Sequence, residues 1–356
     1  MEDKTMIYRL FGRSGLRVSK VALGTMTFGE GWGDFSGGTT ESERIFHAYV
    51  DAGGNFIDTA NGYMDGQSEE LVGRLIAPMR DRIVLATKFG FTRRENDPNS
   101  AGAHRKSLVQ ALDASLKRLK TDYVDLYWMH LWDRTTPLDE LMRALDDQVR
   151  IGKVLHVGFS DAPAWAVARA NTMAMLRGWT PFCGIQIEYN LIERSVEREL
   201  VPMARAFDLA IAAWSPLATG LLTGKYRNRA GVGDGVRARL SERRSGSRSD
   251  AIVDAVSEIA RSHGVAPALV ALAWLAARGP DVFPILGAKT LAQYEENMRF
   301  LELTLTPHEL EQLDRVSAIE SGFPHQFLAD VRSGKMPGGL WGVPIERIEY
   351  AETTLV

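Results

Sequence analysis

Residues 83–130 read IVLATKFGFTRRENDPNSAGAHRKSLVQALDASLKRLKTDYVDLYWMH. Ile83 to Lys88 and Val124 to His130 are short apolar runs suited to strands. Between them, Leu108, Leu112, Leu116 and Leu119 recur at the 3.6-residue spacing that gives a helix one apolar face. Strand, crossover helix and parallel strand make up the repeating unit of an α/β sheet.

The same unit recurs in both directions. The other strand candidates are Lys20 to Leu23, Phe56 to Ala60, Leu155 to Ser160, Phe182 to Tyr189, Leu209 to Leu217 and Val282 to Leu286. Further helical faces are carried by Ile45, Ala48, Tyr49 and Ala52, and by Leu138, Leu141, Met142, Leu145 and Val149. Thr40 with Glu43 reads as a capping box for the first of these, and Gly53 as its stop. Such a repeat closes a (β/α)8 TIM barrel or spreads into an open doubly wound sheet; the count of eight strands favours closure. Ile7 to Leu10 and Leu16 to Ser19, around Gly12 and Gly15, read as an N-terminal hairpin placed to plug the barrel floor.

Three stretches interrupt the repeat: Gly29 to Gly38 after strand one, the Arg/Gly/Ser-rich Arg227 to Asp250 after strand seven, and the tail from Leu303 to Val356 with a helix-like Pro307 to Val316. Both loops fall on the side of the strands' C-terminal ends and are expected to cover a ligand. The expectation is one domain over 1–356, with the barrel at about 20–302 and a C-terminal extension at about 303–356.

Composition narrows the function. With 42 Lys plus Arg against 45 Asp plus Glu, no global field favours nucleic acid or an anionic membrane, so a small-molecule partner is expected. Cys183 is the only cysteine, which rules out an internal disulfide. Met1 to Arg9 has no apolar signal core, and the apolar stretch near Ala266 to Ala277 falls short of the ~20 residues of a membrane span, so a cytoplasmic location is expected. Gly29-Glu30-Gly31-Trp32-Gly33 has the wrong spacing for a Rossmann fingerprint. Gly220 to Tyr226 is one residue short of a P-loop and has Tyr226 where a magnesium ligand belongs, and the seven histidines form no metal-binding pair, so no metal is expected.

Asp58, Lys88 and His130 each close a strand, and Tyr63 lies just beyond the first of them. Singly they read as a turn cap, a solvated strand end, a satisfied histidine and a packed loop tyrosine. At one barrel mouth they would bring together a carboxylate, an ammonium, an imidazole and a phenol, a set suited to proton transfer. A phenol near its ordinary pKa of about 10 is a sluggish acid, and a neighbouring cation such as Lys88 would stabilise its phenolate. Asp58 would hold Lys88, and His130 would orient a reacting carbonyl.

Gly24 to Gly29, Asp58-Thr59-Ala60-Asn61-Gly62-Tyr63, Ala86-Thr87-Lys88, Asp125 to His130, Gly158-Phe159-Ser160, Gln186 to Asn190, Trp214-Ser215-Pro216-Leu217 and Gly287 to Asn297 follow in an order and spacing that resembles the aldo-keto reductases over nearly the whole chain, in the aryl-alcohol-dehydrogenase-like branch. The resemblance implies a (β/α)8 barrel that binds NADPH, or less readily NADH, and interconverts an aldehyde or ketone with its alcohol. It implies Tyr63 as general acid, Lys88 and Asp58 as its tuning pair, and His130 as the group that orients the carbonyl. Ser160, Asp161 and Gln186 correspond to contacts of the nicotinamide carboxamide, although Asp161 stands where many members carry asparagine. Trp214 corresponds to the stacking aromatic, and Ser215, Pro216, Leu217 and Lys225 to the pyrophosphate loop. Gly287, Lys289, Gln293, Glu296 and Asn297 correspond to adenosine contacts, helped by a helix N-terminus, and Thr25 and Met26 to contacts near the ribose.

Gln293 replaces an arginine that grips the 2′-phosphate in several branches, leaving Lys289 and an arginine of the insertion, Arg237 or Arg239, as candidates. The Trp-Ser-Pro-Leu form of strand seven also resembles the β subunits of voltage-gated potassium channels, which gives a rival reading as a cofactor-bound regulatory module; His130 argues for a reductase. Trp32, Trp128 and Trp132 are candidate pocket walls and suggest an apolar, aromatic substrate.

Overall fold

The computed structural model describes residues 6–226, 244 and 246–332. The chain separates into two compact units, Met1–Ser317 and Ala318–Val356. In the second, the described element is a short helix, His325–Arg332.

The first unit is a closed barrel of eight parallel strands. In chain order these are β3 (Ala22–Gly24), β4 (Phe56–Asp58), β5 (Val84–Phe89), β6 (Val124–Met129), β7 (Val154–Ser160), β8 (Gly184–Glu188), β9 (Ala210–Trp214) and β10 (Val282–Leu286). Each pairs with the next, and β10 returns to β3 through Ile285 opposite Ala22. All eight strand candidates are present. Those starting at Phe56 and Leu209 end earlier than expected because the chain leaves the ladder to build the mouth; Ser215, at φ +51°, turns out of β9 directly after Trp214.

The helices lie outside the strands: α1 (Thr39–Asp51), α2 (Gln67–Ile76), α3 (Arg105–Leu119), α4 (Leu138–Arg150), α5 (Ala164–Arg177), α6 (Leu200–Ala206), α7 (Ser247–His263), α8 (Pro267–Ala276), α9 (Leu291–Met298) and α10 (Pro307–Val316). Leu108, Leu112, Leu116 and Leu119 of α3 are buried in the layer between helices and sheet, as their spacing predicts. The capping box expected at Thr40 and Glu43 does not form. Helix α1 starts at Thr39 with Gly38 as N-cap, so Thr40 already lies inside the first turn and has no cap position to fill. A capping box does form at α10, where Thr306 and Glu309 exchange side-chain to backbone hydrogen bonds. Helix α10 belongs to the barrel unit: Trp274 Nε1 of α8 and the guanidinium of Arg278 both donate to Asp314 at 2.9 Å.

Inside the barrel, alternation stacks side chains in layers. Phe56, Ala86, Leu126, Trp128, Ala212 and Phe283 point inward and meet Phe11 in one buried cluster. Phe11 comes from the loop between β1 (Tyr8–Leu10) and β2 (Arg17–Ser19), an antiparallel hairpin with Tyr8 opposite Ser19. Its ring contacts those of Phe56, Phe283 and Trp128 at centroid distances of 5.4, 5.3 and 6.2 Å, so the hairpin plugs the floor. Gly12 permits the plug. It sits at φ +57°, and a Cβ there would lie 2.2 Å from the Cys183 carbonyl oxygen.

Trp128 belongs to this floor. It is fully buried, and its ring rests where a side chain on Gly158 would stand, 2.3 Å from a Cβ at that position. It is therefore barrel packing and not the pocket wall that its proximity to His130 suggested. Two residues farther along the strands, the next inward layer is Asp58, Lys88, His130, Ser160, Gln186 and Trp214. Among the described residues no single helix is long and apolar enough to cross a membrane; α7 and α8 together reach that length but meet at 101°.

Candidate active site

Lys88 decides the geometry of the mouth. Its side chain is fully buried at the end of β5, and its ammonium has three acceptors: Asp58 Oδ2 at 2.5 Å, the Thr59 carbonyl at 2.8 Å and Tyr63 Oη at 3.1 Å. An ammonium has three protons and no lone pair, so the Tyr63 oxygen accepts from Lys88 and its own proton is left for another partner. The loop between Asp58 and Tyr63 is tied down at several points. Asn61 N donates to the Lys88 carbonyl at 3.1 Å, Thr25 Oγ1 to the Asp58 carbonyl at 3.1 Å, and Ser68 Oγ to the Thr25 carbonyl at 2.8 Å. Directly after Tyr63 the backbone takes left-handed conformations at Met64 and Asp65, φ +47° and +56°. Such turns persist only where the surroundings impose them.

His130 follows β6, held by its backbone N–H on the Phe89 carbonyl at 2.9 Å. Its ring stands edge-on to Tyr63, with centroids 5.9 Å apart. Burial, with the ammonium of Lys88 beside it, pushes its pKa well below the usual histidine range, so near neutral pH it is an uncharged imidazole able to donate from one nitrogen. Its Nδ1 is buried without a hydrogen-bond partner. For Tyr63, burial pushes the phenol upward and the Lys88 charge draws it partly back, with Asp58 opposing that pull. The net direction is up, contrary to the sequence expectation of an acidified phenol, because burial outweighs the pull of Lys88, which Asp58 also partly offsets. Lys88 itself is held above its ordinary value: burial opposes the ammonium, but Asp58 and Tyr63 outweigh it.

The pattern known as the aldo/keto reductase family matches residues 20–318 of the chain. The chain belongs to the aldo-keto reductase family. It is similar to an aldo-keto reductase of Aspergillus calidoustus, 36% identical over 335 residues that cover 90% of this chain and 84% of that one. A norsolorinic acid reductase of Emericella nidulans is 37% identical over 88% of this chain and 82% of its own. An aryl-alcohol dehydrogenase of Pestalotiopsis microspora is 34% identical over 90% and 85%. Members of the family generally bind nicotinamide cofactors and act as oxidoreductases.

In this aldo-keto reductase the other predicted site residues that are described lie near or beyond the C-terminal ends of β3, β7, β8, β9 and β10. Ser160 and Gln186 are register partners on β7 and β8, and both are buried. Ser160 Oγ has no hydrogen-bond partner, whereas Gln186 Nε2 donates to Asp58 Oδ1 at 3.0 Å. Asp161 is exposed, at φ +46°, and accepts from Trp214 Nε1 at 3.0 Å. Beyond Trp214 the chain turns through left-handed Ser215, Ala218, Thr219 and Gly220. Asn190 Nδ2 holds the Ser215 carbonyl at 3.0 Å, and Ser215 Oγ accepts from Thr219 N at 3.1 Å. Pro216 is buried and Leu217 partly so, while Lys225 is exposed with its ammonium 4.8 Å from the centre of the Tyr226 ring. Thr25 is buried with its hydroxyl committed to Asp58, and Met26 is partly exposed.

Gly287 and Lys289 lead from β10 into α9, whose N-terminus is already engaged by protein groups. Leu291 N donates to Glu41 Oε2 at 2.7 Å, Gln293 N to the capping Thr290 hydroxyl at 3.3 Å, and Lys289 N to the Gln293 side chain at 3.2 Å. Glu296 pairs with Arg299 at 3.0 Å, and Asn297 is partly exposed beside it. The bond from Leu291 N holds the Glu41 carboxyl below its usual range. The sequence reading missed Glu41. Arg237 and Arg239 lie outside the described residues.

Phe91 was also missed. It is 49% exposed in the loop after β5, and its ring meets His130 edge-on at 4.6 Å. Its signal was an aromatic three residues beyond Lys88 on a loop that follows a site strand. Trp132 packs edge-on against Trp165 at 5.2 Å, and Trp32 Nε1 lies 3.4 Å from Asp65 Oδ2.

Proposed function

We propose that this aldo-keto reductase reduces an aromatic aldehyde or ketone to its alcohol, reversibly, with NADPH as preferred reductant and Tyr63 as proton donor. The observation that carries the reading is the saturated Lys88 ammonium, which places the Tyr63 oxygen as an acceptor 3.1 Å away and frees the phenolic proton. The residues at the rim fit a nicotinamide. Ser160 Oγ is a buried polar atom lacking a partner, beside the amide of Gln186, and Trp214 offers a ring at the barrel mouth.

A bound reduced nicotinamide supplies the hydride. Tyr63 gives its proton to the carbonyl oxygen, and neutral His130 donates a hydrogen bond to the same oxygen and sets its direction. Lys88 stays protonated on Asp58 and stabilises the phenolate that Tyr63 leaves behind. In the reverse direction that phenolate removes the proton of an alcohol. Lys289 is the partner for the adenosine phosphate, and Ser215 to Leu217 with Lys225 bind the pyrophosphate.

Phe91 and Trp132 support an aromatic substrate, as do the relatives named as an aryl-alcohol dehydrogenase and a norsolorinic acid reductase. Those names also weigh against the regulatory-module reading. The test is NADPH consumption with nitrobenzaldehyde. Tyr63→Phe is expected to lower turnover about 10²–10⁴-fold while NADPH affinity stays within a factor of about two, and Lys88→Met to lose activity similarly. Unaltered turnover of Tyr63→Phe would remove Tyr63 from the acid role.

A further inference from the structure

Gln186 stands between two parts of the site. Its Nε2 donates to Asp58 Oδ1 at 3.0 Å, from β8 to β4, while Asp58 Oδ2 takes Lys88 at 2.5 Å. A carboxylate only accepts, so this contact fixes which end of the Gln186 amide faces Asp58. Gln186 and Asp58 are 3% and 2% exposed, so the bond is made away from bulk water. The two oxygens of Asp58 are thus shared between a neutral donor on one side and the Lys88 ammonium on the other.

We propose that Gln186 is a positioning residue for the proton donor: by holding Asp58 Oδ1 it sets the orientation of the carboxylate that keeps the Lys88 ammonium against Tyr63. This inference rests on the reading of Tyr63 as the acid, and it gives Gln186 a task apart from any contact with a cofactor. Without the amide, Asp58 loses a donor in a dry site and its charge bears more fully on its neighbours. The charged and titratable groups facing Tyr63 are Lys88 from β5, Asp58 from β4, Asp161 beyond β7 and the neutral His130 beyond β6. Of these, Asp58 is the one that Gln186 touches. A more negative Asp58 makes the Tyr63 phenolate costlier, so the phenol must ionise at higher pH.

The experiment compares wild type with Gln186→Met, similar in length but without the donor, and with Gln186→Glu, which adds a second carboxylate. The pH dependence of nitrobenzyl alcohol oxidation with NADP⁺ reports the step that needs the phenolate. Its limb is expected to move upward by about half a unit in the Met variant and farther in the Glu variant. A crystal structure of Gln186→Met without cofactor is expected to place Lys88 Nζ and Tyr63 Oη beyond hydrogen-bond length, about 3.5 Å. An unmoved limb in both variants with a weakened NADPH dissociation constant, or an unmoved Lys88–Tyr63 pair, overturns the proposal and leaves Gln186 as a cofactor contact alone. Should the Met variant lose its cooperative melt, the Glu variant decides. Tyr63→Phe separates the two ideas: full activity there sinks the acid assignment and this proposal together, whereas an inactive Tyr63→Phe beside an unmoved limb sinks only the proposal.

Discussion

Tyr63 is a site of opposed forces: burial raises its pKa above the ordinary value of about 10, and the Lys88 ammonium recovers part of the difference. The acid form therefore persists through neutral pH. Carbonyl reduction, which needs that form, is expected to stay flat from about pH 6 to 8 and to fall only in alkaline solution, while alcohol oxidation rises with pH because it needs the phenolate. His130 adds no limb in that window, since burial and Lys88 hold it neutral. A reduction profile with a step near pH 6.5 would contradict both assignments. Phe91 makes a second claim at this scale. Phe91→Ala is expected to reduce kcat/KM for an aromatic aldehyde about tenfold, the value of roughly one aromatic contact, and to change it less than twofold for a small aliphatic one. Equal losses on both would mean that Phe91 only supports His130. Lys88 and His130 were legible in the sequence only jointly: each alone reads as an ordinary strand end, but the strand ends of one barrel converge on a single mouth. Phe91 was not, because an exposed loop aromatic gains its meaning only from the ring it faces.

Among the elements, α9 carries the least expected arrangement. A helix N-terminus after the last barrel strand reads as an anion site, yet the Glu41 carboxylate from α1 already accepts from Leu291 N at 2.7 Å. Partner and competitor for a phosphate thus lie on adjacent helices. Lys289→Ala is expected to raise the dissociation constant of NADPH at least fivefold more than that of NADH, and Glu41→Gln to tighten NADPH while leaving NADH nearly unchanged, both read by fluorescence titration. Identical effects on the two cofactors would refute the phosphate assignment. Helix existence and facing followed from periodicity, as the buried leucines of α3 illustrate. Helix ends were harder: at α1 a glycine took the cap position expected of Thr40, since the preceding loop enters at Gly38 with φ +75°.

For the molecule as a whole, the eightfold repeat announced the barrel, and the family match over residues 20–318 agrees with it. Which strand residues share a layer was also readable, because period two carries Phe56 to Asp58 and Ala86 to Lys88. What the repeat did not reveal is how an interior built from Ala86, Gly158, Gly184 and Ala212 is filled. The answer lies outside the repeat, in Phe11, together with Trp128 spreading over Gly158. Phe11→Ala is accordingly expected to cost about 3–5 kcal/mol of stability, measurable by urea unfolding. Cys183, in the same cluster with its thiol pushed up to about 12 by burial, is the natural reporter: it should react with a disulfide reagent only as the barrel opens, and at lower urea in the variant.

The Phe11 stopper has a consequence for the flow of charge. A barrel sealed below by interlocked rings offers no water column along its axis, so a proton surrendered at Tyr63 cannot be restored from beneath. Recharging must come across the rim, through the same doorway that admits the reactants.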